Sequence, residues 1–116
     1  MLWEHGVRHG RLSMNRVVEI TSTAVAKMFG LHPRKGVIAA GADADIVVFD
    51  PGRRHVFSTE TSFMNVDYDI YEGQEVAGSP RLTLSRGTVV FDDGQIRTKP
   101  GHGRYVRRAP FDASHV

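Results

Sequence analysis

The chain has no cysteine in its 116 residues. That excludes a disulfide framework, a thiolate zinc cluster and a cysteine nucleophile. A reducing, cytoplasmic setting is the expectation. There is no apolar run near the roughly 20 residues that a membrane-spanning helix needs, so an integral helical membrane protein is excluded. The opening Met1-Leu2-Trp3-Glu4-His5-Gly6 has neither the basic stretch nor the apolar stretch of a signal peptide. Internal repeats, low-complexity stretches and β-α-β alternation are also missing, and the last absence argues against a doubly wound sheet.

What is present is an ordinary globular balance: 41% hydrophobic and 24% charged residues, about one domain's worth of chain. Net charge is only +2, but it is unevenly spread. Residues 59–94 carry seven acids (Glu60, Asp67, Asp69, Glu72, Glu75, Asp92, Asp93) against Arg81 and Arg86. The end of the chain reverses this, with Arg97, Lys99, Arg104, Arg107 and Arg108 against Asp112. Such a tail suits either nucleic acid or an acidic surface of its own fold or of a partner subunit. Without a sustained basic run, and with only Tyr105 and Phe111 as stacking groups, it reads as a protein-contacting tail and not as a nucleic-acid arm.

Periodicity changes once along the chain. Met14, Val17, Val18 and Ile20 recur at helical spacing after Ser13, a good N-cap. Thr21-Ser22-Thr23 predicts a corner, because hydroxyls compete for backbone groups. A second short helix is expected over Ala24 to Phe29, capped by Gly30. Strands and turns follow. Ile46-Val47-Val48-Phe49 suits a strand covered on both faces. Leu82-Thr83-Leu84 and Thr88-Val89-Val90-Phe91 lead to Asp92-Asp93-Gly94, a hairpin signal, and then Gln95-Ile96-Arg97-Thr98. Residues 58–80, with Gly73, Gly78 and Pro80, predict a long loop, and Pro51-Gly52 predicts a break after the first strand.

The fold class expected is α+β, a short helical part followed by strands. Three or four strands need a second layer that two short helices barely supply. The chain reads like a portion of something larger.

The residues then resemble a family. Asp43-Ala44-Asp45-Ile46-Val47-Val48-Phe49-Asp50-Pro51, after Gly36 and Gly41, looks like the strand that follows the barrel in amidohydrolase-superfamily enzymes. The stretch from Met14 to Thr23, then Ala26-Lys27-Met28-Phe29-Gly30-Leu31, resembles the last barrel helices of D-hydantoinases and dihydropyrimidinases. Asp67-Tyr68-Asp69-Ile70-Tyr71-Glu72-Gly73, Gly78-Ser79-Pro80, Ser85-Arg86-Gly87 and Asp93-Gly94 continue in that family's order. Gly101-His102-Gly103-Arg104-Tyr105-Val106-Arg107-Arg108 resembles its C-terminal tail. Ala24-Val25 stands where the family usually has Asn-Pro, which predicts a looser helix junction.

The resemblance implies the C-terminal portion of a cyclic-amide hydrolase, a fragment of a (β/α)8 enzyme. Residues 1–32 would be terminal barrel helices, 33–98 part of a β-sandwich with its loop at 58–80, and 99–116 a basic tail that reaches a neighbouring subunit. The expected partners are the rest of the barrel and further copies of the chain, with no nucleic acid and no membrane. The family's divalent pair, zinc or another metal, would be held by residues outside this stretch. The six histidines (His5, His9, His32, His55, His102, His115) contain no His-x-His pair. No catalytic, cofactor-binding or metal-ligating residue is therefore assigned in this chain, and alone it is expected to be inactive. A stand-alone, non-catalytic β-rich binding module with a basic tail is the alternative.

Individual residues read as structural. His5 and His9 are four apart as in a metal site, but Gly6 intervenes and Glu4 precedes them, so a frayed, solvated helix end is expected. Asp43, Asp45 and Asp50 read as turn residues flanking a strand, since their spacing does not match a calcium loop. Asp67, Asp69 and Glu72 read as solvated or arginine-paired, with Tyr68 and Tyr71 packing on the sheet. Gly101-His102-Gly103 lacks the following helix of a phosphate cradle, and Ser85 lacks a nucleophile elbow. Lys35 and Lys99 sit in Pro/Gly-rich turns, and Lys27 on a short surface helix.

Overall fold

The computed structural model describes residues 1–110; Phe111, Asp112 and His115, named above with the tail, lie outside the described residues. Ser13 is the N-cap foreseen: its Oγ accepts from the Arg16 amide at 3.1 Å and opens α1 (Met14–Val18). The corner at Thr21-Ser22-Thr23 does not form. Backbone dihedrals stay helical through Glu19 (φ −58, ψ −54), Thr23 (φ −65, ψ −50) and Ala24 (φ −63, ψ −40). The segment Glu19–Thr23 widens into a π turn and runs directly into α2 (Ala24–Met28). The reason lies in where the hydroxyls bond. Thr21 Oγ1 donates back to the Val17 carbonyl at 2.7 Å, and Thr23 Oγ1 donates to Gly36 O at 2.7 Å. Thr21 bonds back within the helix, sharing its i−4 carbonyl, and Thr23 bonds outside it, so the helix bulges instead of breaking. The junction at Ala24 is accordingly closed, not loose. Gly30 (φ +65) ends the run as expected, with the Leu31 amide returning to Ala26 O at 2.8 Å.

The strands form one antiparallel four-stranded meander, in the order β1 (Ile46–Val56), β2 (Glu75–Ser85), β3 (Thr88–Asp92) and β4 (Gln95–Ile96). Two expectations need correcting. Pro51-Gly52 does not end the first strand, and the loop stops before Glu75, so Gly78 and Pro80 belong to β2. Both corrections have one cause. Asp50 pairs Ser79 and Arg54 pairs Ala77, leaving Pro51, Gly52 and Arg53 bulged opposite Gly78. A proline is tolerated at such a bulge, where no ladder amide is required. Asp50 closes the bulge by accepting from the Gly52 amide at 2.9 Å. The foreseen Asp93-Gly94 hairpin is present, with both residues at positive φ (+46 and +85), and Arg86-Gly87 repeats it between β2 and β3.

Helices and sheet form two incomplete layers. Ala26 and Val76 are the buried apolar residues, and no large side chain among the described residues is fully enclosed. The run Ile46 to Phe49 is open on both faces, with Val47 57% and Val48 45% exposed, so nothing described here supplies its expected covering. The chain, of 12.9 kDa, exposes 8796 Å². A self-contained fold of that mass exposes about 6,300 Å². No described helix is long and apolar enough to cross a membrane.

Candidate functional site: an apolar cleft between helix and sheet

The cleft begins at a π turn, Leu2–Arg8, which docks onto β2. Glu4 makes the attachment. Its carboxylate accepts from Arg8 at 2.6 and 2.7 Å and from the Ala77 amide at 2.9 Å. The Arg8 hydrogen bond, then the Ala77 amide, holds the Glu4 pKa below the usual carboxylate value. The expected frayed end is therefore a fastened one. His9 Nδ1 donates to Glu4 O at 2.6 Å, and the His5 and His9 rings lie nearly parallel with centroids 5.8 Å apart. Glu4 is committed to Arg8 and Ala77, so it adds no free oxygen to the histidine pair.

Docking of this turn places Trp3 over Phe49, with ring centroids 5.3 Å apart at 57°. Both rings press on Gly78. A Cβ built there would meet Trp3 Cδ1 and Phe49 Cζ, each at 2.5 Å. Beyond this floor, Val17 and Val18 of α1 face Val47 and Phe91 of the sheet across an open cleft of about 860 Å³. A second hollow of about 780 Å³ adjoins it under the loop between β1 and β2. Its aromatic walls are Phe57 against Tyr71 (5.5 Å) and Phe63 against Phe91 (5.9 Å, edge to face). The walls are mostly aromatic and aliphatic, with Arg53, His55, Glu60, Thr61 and Ser62 also lining the first cleft.

The polar candidates are occupied elsewhere. Asp43 and Asp45 converge on Lys35, with Nζ 2.8 Å from Asp43 Oδ2 and in contact with Asp45 Oδ2. Arg34 Nε reaches Asp43 at 3.0 Å, and Asp45 Oδ1 accepts from the Arg86 amide at 2.7 Å. This clasp ties the segment before β1 to the β2–β3 turn. The Lys35 hydrogen bond lowers the Asp43 pKa against a smaller effect of burial. Burial pushes Asp45 up, but Lys35 and the Arg86 amide outweigh it and leave it below the usual value. Burial likewise pulls Lys35 down, and its two carboxylates more than reverse this.

In the loop, Asp69 Oδ1 accepts from the Tyr71 amide (2.8 Å) and Glu72 Oε2 from the Thr59 amide (2.8 Å). These carboxylates shape turns; they meet no arginine among the described residues. Tyr71 lies against Phe57, just past β1, but is 38% exposed, and Tyr68 is 65% exposed, so neither is packed away on the sheet. His102 is held by Arg86, whose Nη2 donates to its carbonyl at 2.5 Å and lies 3.3 Å from its Nε2. Ser85 pairs Thr88 beside the turn. Among the described residues no three His, Asp or Glu side chains are grouped to hold a metal ion. Trp3 and Lys35, which organise the floor and the clasp, carry no local motif, and Gly78 stood out only within Gly78-Ser79-Pro80. The one available signal was a glycine amid strand-forming residues, which marks close backbone approach.

Comparison with known proteins agrees with this geometry. The amidohydrolase family model matches residues 1–90. A D-hydantoinase of Geobacillus stearothermophilus is 50% identical over 97% of this chain and 24% of its own length. A dihydropyrimidinase of Rattus norvegicus is 44% identical over 96% of the chain and 21% of its own length. The solved dihydropyrimidinase of Brevibacillus agri NCHU1002 superposes with a TM-score of 0.93 at 50% identity, over 96% of this chain and 24% of that one. The L-hydantoinase of Arthrobacter aurescens gives 0.88 at 36% identity, over 92% and 24%. The chain thus spans about a quarter of the length of the relatives it matches. It belongs to the amidohydrolase family, as a small α+β segment of the hydantoinase/dihydropyrimidinase type.

Proposed function

We infer that this chain is the C-terminal, architectural part of a cyclic-amide hydrolase. Residues 1–32 end the barrel, 33–98 contribute to a β-sandwich, and 99–116 serve assembly. The whole enzyme hydrolyses a C–N bond of a hydantoin or dihydropyrimidine ring, with hydroxide supplied by a divalent pair such as zinc. The observation that carries this reading is the open apolar cleft, floored by Trp3 and Phe49, in a chain similar to a hydantoinase along 97% of its own length. Such a cleft calls for a covering body, and the rest of the barrel supplies one.

The donor set present does not fit the metal. Among the described residues His5 and His9 stand as a pair without a third ligand grouped beside them, and Asp43 and Asp45 are held by Lys35. No step of the ring opening is accordingly routed through these residues. Their work is to fasten helices, loop and sheet so that the cleft keeps its shape.

Complementation tests the reading. A D-hydantoinase deleted for its matching segment is co-expressed with this chain and assayed for hydantoin hydrolysis. Restored turnover with the two chains co-purifying is the expected result. Co-expression without either would overturn it.

A further inference from the structure

One contact that fastens the C-terminal segment has a single possible polarity. Arg86 Nη2 lies 2.5 Å from the His102 carbonyl oxygen and 3.3 Å from His102 Nε2. A guanidinium donates and never accepts. Nε2 must therefore offer a lone pair, which puts the imidazole proton on Nδ1 and leaves the ring neutral. Of the three protonation forms of an imidazole, the other two cannot take this contact.

Arg86 reaches the ring from a pinned backbone. It stands at φ +48 in the turn between β2 and β3, and its amide donates to Asp45 Oδ1 at 2.7 Å. The next amide, of Gly87, donates to Ala44 O at 2.9 Å. The turn is thus tied to the Lys35 clasp on one side and to His102 on the other, and both Arg86 and His102 are half-buried. Charge around the ring is of one sign. Asp45, the carboxylate tied to this turn, is taken up by Lys35 and the Arg86 amide. Among the described residues no carboxylate pairs with the ring or with the Arg86 guanidinium, and Lys99 and Arg104 flank His102 along its own segment.

We propose that Arg86 and His102 form a pH-operated catch on the C-terminal segment, closed while the imidazole is neutral and opened when it is protonated. Protonation fills the accepting lone pair and sets a second cation 3.3 Å from the guanidinium, so a hydrogen bond is replaced by repulsion. An imidazole changes charge between about pH 5 and 8, which places the opening on the acid side of neutrality. The opening is local. The Ala109 amide keeps its bond to Gly30 O and the β2–β3 ladder is untouched, so residues 99–108 loosen between two fixed ends. The catch consists of contacts within this chain and is independent of the enzyme assignment.

Nuclear magnetic resonance of the full chain tests this. At about pH 7.5 the His102 ring nitrogens are expected to show the Nδ1–H tautomer. As the pH drops to about 5, backbone order parameters of residues 101–105 are expected to fall from about 0.85 toward about 0.6, while those of Thr88–Asp92 hold. His102→Gln is the decisive variant, because a carboxamide oxygen accepts from Arg86 without titrating. Its segment is expected to stay ordered at both pH values. The variant also keeps His32, which lies two residues beyond the Gly30 anchor, and so separates the two histidines. An Nε2–H tautomer at neutral pH overturns the proposal. So does order that ignores pH, or loosening that persists unchanged in His102→Gln. If the glutamine leaves the segment loose even at neutral pH, the native chain decides: loosening that tracks titration of the His102 nitrogens supports the catch, and loosening at any other pH overturns it.

Discussion

Trp3 and Phe49, 46 positions apart, tilt together at 5.3 Å over the bare Cα of Gly78. This contact joins the first helical turn to the first two strands. The sheet and the helical layer otherwise share little apolar contact, so the fold leans on it.

Gly78→Ala is therefore expected to destabilise the chain by about 2 to 4 kcal/mol. Overpacking two rings costs roughly 1–3 kcal/mol, and a side chain at φ +85 adds about 1 kcal/mol. The urea midpoint, compared with that of Gly52→Ala in the adjacent bulge, measures it.

The Lys35 clasp sets the pH response. Asp43 and Asp45 have pKa values lowered from 3.8, so their stabilisation is complete above that value and is lost as pH falls through the lowered ones. Lys35 is raised from 10.5, so its share persists below that and is lost as pH climbs through the raised value. The thermal midpoint is expected to be flat between about pH 5 and 9 and to fall on both sides. Lys35→Met should lower the plateau and soften both limbs.

Gly30→Ala should release the tail. Its Cβ would strike the Ala109 carbonyl oxygen, and φ is +65. The expected outcome is faster tryptic cleavage at Arg107 and Arg108 and faster exchange of the Ala109 amide, with cleavage at Arg54 inside β1 unchanged.

Metal should not matter to this chain's own stability. With the donors dispersed or ion-paired, dialysis against a chelator is expected to leave the thermal midpoint in place. Zinc added back should bind no better than isolated surface histidines do, and the chain alone should not open hydantoin or dihydrouracil. Metal analysis and a ring-opening assay check both halves.

Much of this protein was legible residue by residue. Ser13 as a cap, Gly30 as a stop and Asp93-Gly94 as a turn each depend on one residue's backbone or hydroxyl chemistry, which acts over three or four positions. The family was legible for a related reason: its turn and cap residues stand in a fixed order along the chain. Other features depended on partners that are distant in sequence. Whether Thr21 and Thr23 break a helix hinged on which carbonyls stood nearby, and one of them, Gly36 O, arrives from outside the helix. Pro51 and Pro80 looked like breaks until pairing between β1 and β2 placed them in an irregular ladder that tolerates them. The sequence by itself determined the local elements, their order and the kind of protein they come from. Only the tertiary structure decided which carboxylates are held by Lys35 and Arg8, where the tail is fastened, and which apolar face is left open, because each of these is a meeting of groups that chain spacing does not specify.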